Sequence, residues 1–117
     1  MKRILVADDE MSIRLLYSEE LKEEGYDVIT AANGKEALEI VSREPFDLVI
    51  LDIKMPEMSG IEVLRQIKEK FPNLPVLLSS AYSEYKQDFG TWASEEYLVK
   101  SSDLEDLKAA VRKHLKD

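Results

Sequence analysis

Four short apolar runs along the chain each end in polar residues, and segments with helical periodicity separate them. The runs with their endings are Ile4-Leu5-Val6-Ala7 before Asp8-Asp9, Leu48-Val49-Ile50-Leu51 before Asp52, Pro75-Val76-Leu77-Leu78 before Ser79-Ser80, and Tyr97-Leu98-Val99 before Lys100. Runs that are apolar on both faces are typical of parallel strands covered by helices. With a further strand expected at Tyr26 to Thr30, the alternation predicts an α/β fold with about five strands and about five helices.

Capping signals predict where the helices begin and end. The first helix is expected from about Ser12 to Glu24, with Gly25 supplying a positive φ after its end. Asn33 and Ser59 are each followed three places later by Glu, which predicts the starts of the second and third helices. The stretch 83–93 predicts only a weak fourth helix, since a glycine interrupts it. The expected buried positions are Ile13, Leu16, Tyr17 and Leu21 in the first helix, Ile61, Leu64, Ile67 and Phe71 in the third, and Leu104, Leu107, Val111 and Leu115 in the last.

The polar residues that end the apolar runs are predicted to meet in one pocket, because ligands of parallel sheets collect at the carboxyl ends of the strands. The pocket would hold the carboxylates of Asp8, Asp9 and Asp52, a serine hydroxyl and the ammonium of Lys100. Like charges about 4 Å apart repel by roughly 4 kcal/mol at an effective dielectric constant near 20, so the carboxylates favour a bound cation. Hard oxygen ligands suit Mg²⁺, which would let a carboxylate attack a phosphoryl group and form an aspartyl-phosphate.

Composition limits the class of protein. A chain of 117 residues predicts one domain, residues 1–117, and its 44% hydrophobic and 34% charged content is that of a soluble globular protein without a membrane span. The first apolar run is too short for a signal peptide, and the absence of cysteine fits the cytoplasm. A net charge of −8 without a basic cluster opposes direct binding to nucleic acid.

Four motifs, taken in order, resemble a known family. They are Leu-Val-Ala-Asp8-Asp9-Glu, Val-Ile-Leu-Asp52-Ile-Lys-Met-Pro-Glu-Met-Ser-Gly60, Leu-Leu-Ser-Ser80-Ala81 and Tyr97-Leu-Val-Lys100. The chain resembles, over its whole length, the receiver domain of bacterial two-component response regulators, most like the chemotaxis regulators. The resemblance implies a doubly wound, flavodoxin-like α/β/α fold, with a five-stranded parallel sheet in the order 2-1-3-4-5.

The resemblance also implies a role for each motif residue. Asp52 would be the phosphoacceptor and, with Asp9 directly and Asp8 largely through water, a ligand of Mg²⁺. The backbone carbonyl of Lys54 would be a further ligand of the metal. The remaining roles are the switch hydroxyl for Ser80, the aromatic rotamer switch for Tyr97 and the phosphoryl-contacting ammonium for Lys100.

Two further expectations concern residues near the phosphoacceptor. Lys54 and Tyr82 resemble the family positions that flank the approach of water to the phosphoryl group, and their size predicts slow self-dephosphorylation. The family usually has Pro after its lysine, whereas Ser101 stands here. A cis bond without proline costs about 2.5–4 kcal/mol, so the Lys100-Ser101 bond is expected to be trans.

The resemblance implies a signalling function rather than turnover of a substrate. A histidine kinase or phosphotransfer protein would phosphorylate Asp52, and the fourth helix, last strand and last helix would then present a changed surface to an unknown downstream protein. The domain would assist its own phosphorylation and dephosphorylation without being an enzyme in its own right. We expect a monomer or a weak phosphorylation-dependent dimer, either a stand-alone regulator or a receiver excised from a longer one.

Two other classes of protein use related sheets. A Mg²⁺-dependent phosphohydrolase of the haloacid-dehalogenase type also has an Asp at a strand end, but its usual motif has a second Asp two residues later, which Asp8-Asp9-Glu10 lacks. A flavodoxin-like nucleotide binder needs a phosphate-cradling loop after the first strand, where the acidic run would repel phosphate.

Overall fold

The structure is a computed structural model, and it describes residues 1–81, 94–100 and 104–115. The strands and helices within these ranges are β1 Arg3–Ala7, α1 Met11–Glu23, β2 Asp27–Ala31, α2 Gly34–Arg43, β3 Leu48–Leu51, α3 Gly60–Lys70, β4 Val76–Ser80, β5 Glu96–Val99 and α4 Glu105–His114. The predicted weak helix at 83–93, together with Tyr82 and Ser101, lies outside the described residues. None of the helices in the described ranges is long and apolar enough to span a membrane.

The five strands form one parallel sheet in the order β2-β1-β3-β4-β5, which confirms the predicted topology. At the carboxyl end of β1, Ala7 lies opposite Ala31 of β2 and Leu51 of β3. Because the central strands end level with one another, the residues that follow Ala7 and Leu51 emerge side by side at the same edge of the sheet.

Each face of the sheet carries its own hydrophobic core. Along β1, Leu5 and Ala7 belong to the core shared with α2 and α3, whereas Ile4 and Val6 belong to the core shared with α1 and α4. Alternate side chains of a strand point to opposite faces, so a strand between two helical layers must be apolar at every position. This requirement explains the uninterrupted apolar runs of the sequence and gives the predicted three-layer architecture.

The predicted starts of α2 and α3 and the predicted glycine after α1 are confirmed. The side chain of Asn33 accepts a hydrogen bond of 2.8 Å from the backbone N–H of Glu36, and that of Ser59 accepts one of 3.3 Å from the N–H of Glu62. These contacts satisfy backbone donors that would otherwise lack a partner in the first turn. Gly25, with φ of +98°, follows the end of α1 as expected.

Two predicted core positions are wrong. Leu16 is 40% exposed and Phe71 is 38% exposed. In α1 the fully buried positions, Tyr17 and Leu21, are one turn apart and form a narrow stripe, so Leu16 lies beside this stripe and partly faces solvent. Phe71 is the residue at which α3 ends, and its backbone no longer follows the helix, so its side chain leaves the buried face.

Charged contacts join α4 to its neighbours. Lys108 Nζ lies 2.9 Å from Glu20 Oε1 of α1, and His114 Nε2 lies 2.9 Å from Glu96 Oε2 of β5. Ion pairs near the protein surface contribute little stability, so the apolar contacts of α4 with the sheet carry most of its attachment. The pairs connect α4 to α1 and to β5.

Candidate functional site

The polar residues that end the apolar runs meet at the carboxyl edge of the sheet, as predicted from the sequence. Asp8 follows β1, Asp52 follows β3, Ser80 is the last residue of β4 and Lys100 follows β5. Asp52 and Lys100 line a cavity of about 210 Å³, and Asp8 and Ser80 lie next to residues that line it. Its lining residues are Asp9, Glu10, Asp52, Lys54, Ala81 and Lys100.

The ammonium of Lys100 links the two buried carboxylates. Lys100 Nζ lies 2.7 Å from Asp8 Oδ2 and 3.5 Å from Asp52 Oδ2. Asp8 is 2% exposed and Asp52 is 6% exposed, so both carboxylates are largely removed from water. A positive charge held between them offsets part of the repulsion that the sequence predicts for this pocket.

The surroundings of Asp52 oppose its negative charge. Burial, followed by the negative charge of Asp8, raises the pKa of the Asp52 carboxyl to about 6, although Lys100 acts in the opposite direction. For Lys100 itself, burial alone would lower the pKa, but the hydrogen bond to Asp8 and the charges of both carboxylates outweigh it and raise the pKa. Lys100 is therefore a permanent cation at neutral pH, while Asp52 loses its proton only near pH 6.

Three carboxylates in sequence, Asp8, Asp9 and Glu10, have oxygen atoms within 4.8 Å of one another. Hard oxygen donors of this kind suit Mg²⁺, so the donor set fits the predicted metal. Glu10 was not among the metal ligands predicted from the sequence, although its place at the end of the Asp-Asp-Glu run could have indicated it. Asp52 lines the same cavity as Asp9 and Glu10, and Lys100 contacts both Asp52 and Asp8.

Two hydrogen bonds between side chains and backbone groups hold the turn that carries Asp8. One carboxylate oxygen of Asp8 accepts a hydrogen bond of 2.9 Å from the N–H of Glu10, and its carbonyl oxygen accepts one of 2.7 Å from the Arg14 guanidinium. Arg14 belongs to α1, so the helix itself fixes the acidic turn. No pattern in the sequence indicates this role, because the contact depends on how α1 leaves the turn.

The loop between Asp52 and α3 is packed without spare room. A Cβ atom at Gly60 would overlap the carbonyl oxygen of Asp52, and the Gly60 N–H donates a 2.8 Å hydrogen bond to the Ile53 carbonyl. A Cβ atom at Gly34 would come within 2.5 Å of the Met58 carbonyl oxygen. The two glycines therefore let α2 and α3 pack directly against the loop that presents Lys54 to the cavity.

The predicted switch residues lie beside the cavity rather than in its lining. Ser80 is fully buried, and its carbonyl oxygen accepts a 2.7 Å hydrogen bond from the Lys100 N–H. Tyr97 is partly buried and packs against the core shared with α2 and α3. The neighbouring Ser79 has its hydroxyl 2.9 Å from that of Tyr17 in the opposite core, and the sequence did not predict this contact.

The fold and the site are those of a doubly wound α/β domain that gathers acidic groups and one ammonium at its carboxyl edge. The family described as response regulator receiver domain matches residues 4–112. The chain therefore belongs to the response regulator receiver family, the regulatory phosphoacceptor domains of two-component systems. This membership favours the phosphoacceptor interpretation over the phosphohydrolase and nucleotide-binding alternatives.

Relatives and solved structures agree with this membership. The sporulation initiation phosphotransferase F of Bacillus subtilis is 39% identical over 116 residues, which is 97% of this chain and 94% of that protein. Response regulator protein TrrA of Thermotoga maritima, solved in complex with Mg(2+)-BeF, is 51% identical, with a TM-score of 0.97 over 98% of this chain and 100% of that one. In its complex with histidine kinase ThkA, TrrA gives a TM-score of 0.94 at 51% identity, over 99% of this chain and 100% of that one. Some other curated relatives are longer, and the chain spans 26% and 47% of the length of two of them.

Proposed function

We propose that residues 1–117 form one receiver domain in which Asp52 accepts a phosphoryl group and thereby changes a partner-binding surface. The observation that carries the proposal is the placement of Asp52. Its carboxylate is buried at the end of β3, faces a cavity open to solvent, and lies 3.5 Å from the ammonium of Lys100. A nucleophile and a cation for the developing phosphate charge are thus held in the same small site.

The transfer step follows from these positions. An oxygen atom of the Asp52 carboxylate attacks the phosphorus atom of a phosphohistidine or of a small acyl phosphate, and a new P–O bond forms. The bond from phosphorus to the donor breaks, and the departing imidazole nitrogen or carboxylate oxygen keeps the electron pair. Lys100 moves from Asp8 toward the transferred group, and the Ser80 hydroxyl donates a hydrogen bond to it.

Asp8, Asp9, Asp52 and the backbone carbonyl of Lys54 would hold Mg²⁺, and the cluster of acidic oxygens around Asp9 supports this assignment. When bound, Mg²⁺ neutralises charge on the nucleophile and on the phosphoryl group and holds the two in line. The complex of TrrA with Mg(2+)-BeF makes the same cofactor reasonable for this chain.

The output arises from movement of the switch residues. Once Ser80 turns toward the phosphoryl group, the space beside it admits the ring of Tyr97, which is only partly buried on the edge strand β5. Two arrangements of one packed site make a two-state switch, and phosphorylation shifts the population between them. The surface that changes comprises β5, α4 and the segment 83–93, and it would contact an unidentified downstream protein.

A histidine kinase or a phosphotransfer protein is the proposed phosphodonor, as the complex of TrrA with ThkA suggests. Met11 and Leu15 of α1 are 64% and 56% exposed and lie one turn apart beside the acidic turn. An exposed apolar pair on the helix that directly follows the acidic turn suits a helical partner that brings its histidine to Asp52. We further propose a cytoplasmic domain that acts as a monomer or a weak phosphorylation-dependent dimer, without binding nucleic acid directly and without turning over an independent substrate.

The test of the phosphoacceptor is labelling with a small acyl phosphate, followed by intact-mass and peptide mass spectrometry. We expect one phosphoryl group per chain, located on Asp52, and we expect its loss on chelation of Mg²⁺ or in the variant Asp52→Asn. Asp106→Asn, a change in the first turn of α4, is the matched control and should label as the parent does. Labelling that survives chelation or Asp52→Asn would contradict the assignment, as would repeated turnover of a phosphate monoester.

We also propose that Lys54 and Tyr82 slow the hydrolysis of the phosphorylated form. Lys54 is exposed and lines the cavity, so its long side chain can obstruct the water that must approach the phosphorus atom in line. Tyr82 occupies the corresponding position after Ser80 in the sequence. The variants Lys54→Asn, Tyr82→Ala and the double variant should lose the phosphoryl group faster than the parent in a chase after removal of the donor. Equal lifetimes in all four proteins would show that neither side chain shields the phosphoryl group.

A further inference from the structure

Tyr17 and Ser79 form a buried hydrogen bond that the proposed transfer step does not use. Their hydroxyl oxygens are 2.9 Å apart, and the two residues are 3% and 2% exposed. Tyr17 belongs to α1, Ser79 belongs to β4, and Tyr17 sits among apolar side chains of the core between α1, α4 and the sheet. Because water is excluded, each hydroxyl depends on the other for a partner, and breaking the pair leaves a buried polar group unsatisfied.

The pair holds β4 from the face opposite to Ser80. Along β4, Leu77 belongs to the core shared with α1 and α4, whereas Leu78 belongs to the core shared with α2 and α3. Alternation therefore directs the side chains of Ser79 and Ser80 to opposite faces of the sheet. The polar contact at Ser79 therefore acts on the backbone at the end of the strand from the face opposite to the Ser80 side chain.

A continuous series of contacts leads from this end of β4 to the phosphoacceptor. The Ser80 carbonyl accepts a 2.7 Å hydrogen bond from the N–H of Lys100, whose ammonium contacts Asp8 at 2.7 Å and Asp52 at 3.5 Å. The Asp8 carbonyl in turn accepts a 2.7 Å hydrogen bond from Arg14 of α1. The series begins and ends on α1, so the helix holds the site at two points that are about one turn apart.

The Tyr17 hydroxyl stays neutral in this position. Burial raises the pKa of the phenol, while the hydrogen bond to Ser79 and the positive charge of Lys100 act in the opposite direction and the charges of Asp8 and Asp52 reinforce the increase. A neutral phenol keeps its proton for hydrogen bonding throughout the pH range in which Asp52 ionises.

We propose that Tyr17 and Ser79 are positioning residues for phosphoryl transfer to Asp52. By fixing the end of β4, they hold the Ser80 hydroxyl and, through the Ser80 carbonyl, the start of the Lys100 side chain at the distance that the transfer requires. The inference rests on the proposed function of Asp52. Small errors of position strongly reduce the rate of such a reaction, since a displacement of about 1 Å can slow a step by about a hundredfold.

A double-mutant comparison tests the pair. The variants are Tyr17→Phe, Ser79→Ala and the double variant, and the measurements are the stability toward denaturant and the rate of Asp52 labelling at fixed concentrations of small acyl phosphate and Mg²⁺. Each single change leaves one buried hydroxyl without its partner, whereas the double change removes both, so stability should fall in the singles and recover in part in the double. We expect labelling to be slowed at least about threefold in all three variants, and the Lys100 amide resonance to shift in all three.

The double variant distinguishes positioning of the site from general support of the fold. Because its stability recovers in part, slow labelling in this variant reports misplacement of the site rather than loss of folded protein. If labelling recovers together with stability in the double variant, or if all three variants label at the parental rate, the inference is overturned. Tyr26→Phe is the control, because Tyr26 packs against the same core just before β2, far along the sheet from the cavity, and should label as the parent does. Failure of the proposed function would be seen separately, as a parent protein that does not label on Asp52.

Discussion

The position of the Asp52 carboxyl group has opposite consequences for its proposed reaction and for the stability of the fold. Asp52 lies at the end of β3, 6% exposed and facing the cavity, and this burial together with the charge of Asp8 raises its pKa to about 6. The native protein therefore holds a proton on Asp52 at pH values where the unfolded chain, with a pKa near 3.8, has already released it. The position proposed for phosphoryl transfer therefore lowers the stability of the metal-free domain at neutral pH.

The first prediction concerns the stability of Asp52→Asn without metal. Between pH 3.8 and about pH 6 the native state binds more protons than the unfolded state, so the ionisation of Asp52 lowers the free energy of unfolding as the pH rises through this window. A neutral amide removes that penalty. In the presence of a chelator, the free energy of unfolding of Asp52→Asn should exceed that of the parent by about 1–3 kcal/mol at pH 7.5, and by a clearly smaller amount at pH 4.5.

Chemical denaturation at the two pH values measures this difference, with Asp106→Asn as the surface control. A gain that is equal at both pH values would indicate a packing effect rather than relief of a buried charge. No gain at pH 7.5 would mean that Lys100 fully compensates the charge of Asp52.

At the scale of the elements, the start of α3 is part of the site. Gly60 begins the helix and brings its backbone against the carbonyl of Asp52, and the preceding Ser59 caps the helix. Between them and Asp52, Glu57 adopts a φ of 70°, a conformation that is unfavourable for a residue with a Cβ atom. The loop is held in this shape by the packing of α2 and α3 on its two sides.

Replacement of Gly60 by Ala is expected to damage both stability and labelling. The added methyl group would overlap the backbone of Asp52, so the phosphoacceptor or the helix must shift. We expect the free energy of unfolding to fall by at least about 2 kcal/mol and labelling of Asp52 to slow strongly. Gly25→Ala is the matched comparison, because its site has open space but requires φ of +98°.

Gly25→Ala should lower the free energy of unfolding by about 1 kcal/mol through backbone strain and leave labelling unchanged. Denaturation curves and the acyl phosphate assay distinguish the two glycines. Similar labelling in Gly60→Ala and the parent would show that the close approach of α3 does not position Asp52.

At the scale of the whole molecule, the site links metal binding to folding. The acidic turn after β1 and Asp52, the proposed phosphoacceptor after β3, are brought together only when the sheet has formed. The unfolded chain therefore has little affinity for Mg²⁺, and the ion stabilises the native state by mass action.

Addition of Mg²⁺ should raise the melting temperature of the parent. The stabilisation is about 2.7 kcal/mol when the ion is present at about 100 times its dissociation constant. Asp9→Ala removes an exposed carboxylate from the acidic cluster, so its melting temperature should not respond to Mg²⁺, while Asp106→Ala should respond as the parent does. Differential scanning calorimetry with and without the ion is the measurement. A full response in Asp9→Ala would exclude Asp9 as a direct ligand.

Much of the fold and of the site could be predicted from the sequence because both depend on local patterns. The uninterrupted apolar runs indicate strands between two helical layers, and the strand ends place Asp8, Asp52 and Lys100 at one edge. Capping residues such as Asn33 and Ser59 act on backbone groups only three residues away, so their effect is visible in the sequence. The residue types and their order along the chain therefore suffice to predict that carboxylates and an ammonium meet at this edge of the sheet.

Only the tertiary structure decided the contacts between distant parts of the chain. Tyr17 and Ser79 are separated by 62 positions, and no periodicity indicates that their hydroxyl groups meet. The pKa of Asp52 likewise depends on burial and on the distance from its carboxylate to the charges around it. Burial, distance and direction are properties of the packed molecule, because helix faces and strand ends acquire their neighbours only when the layers come together.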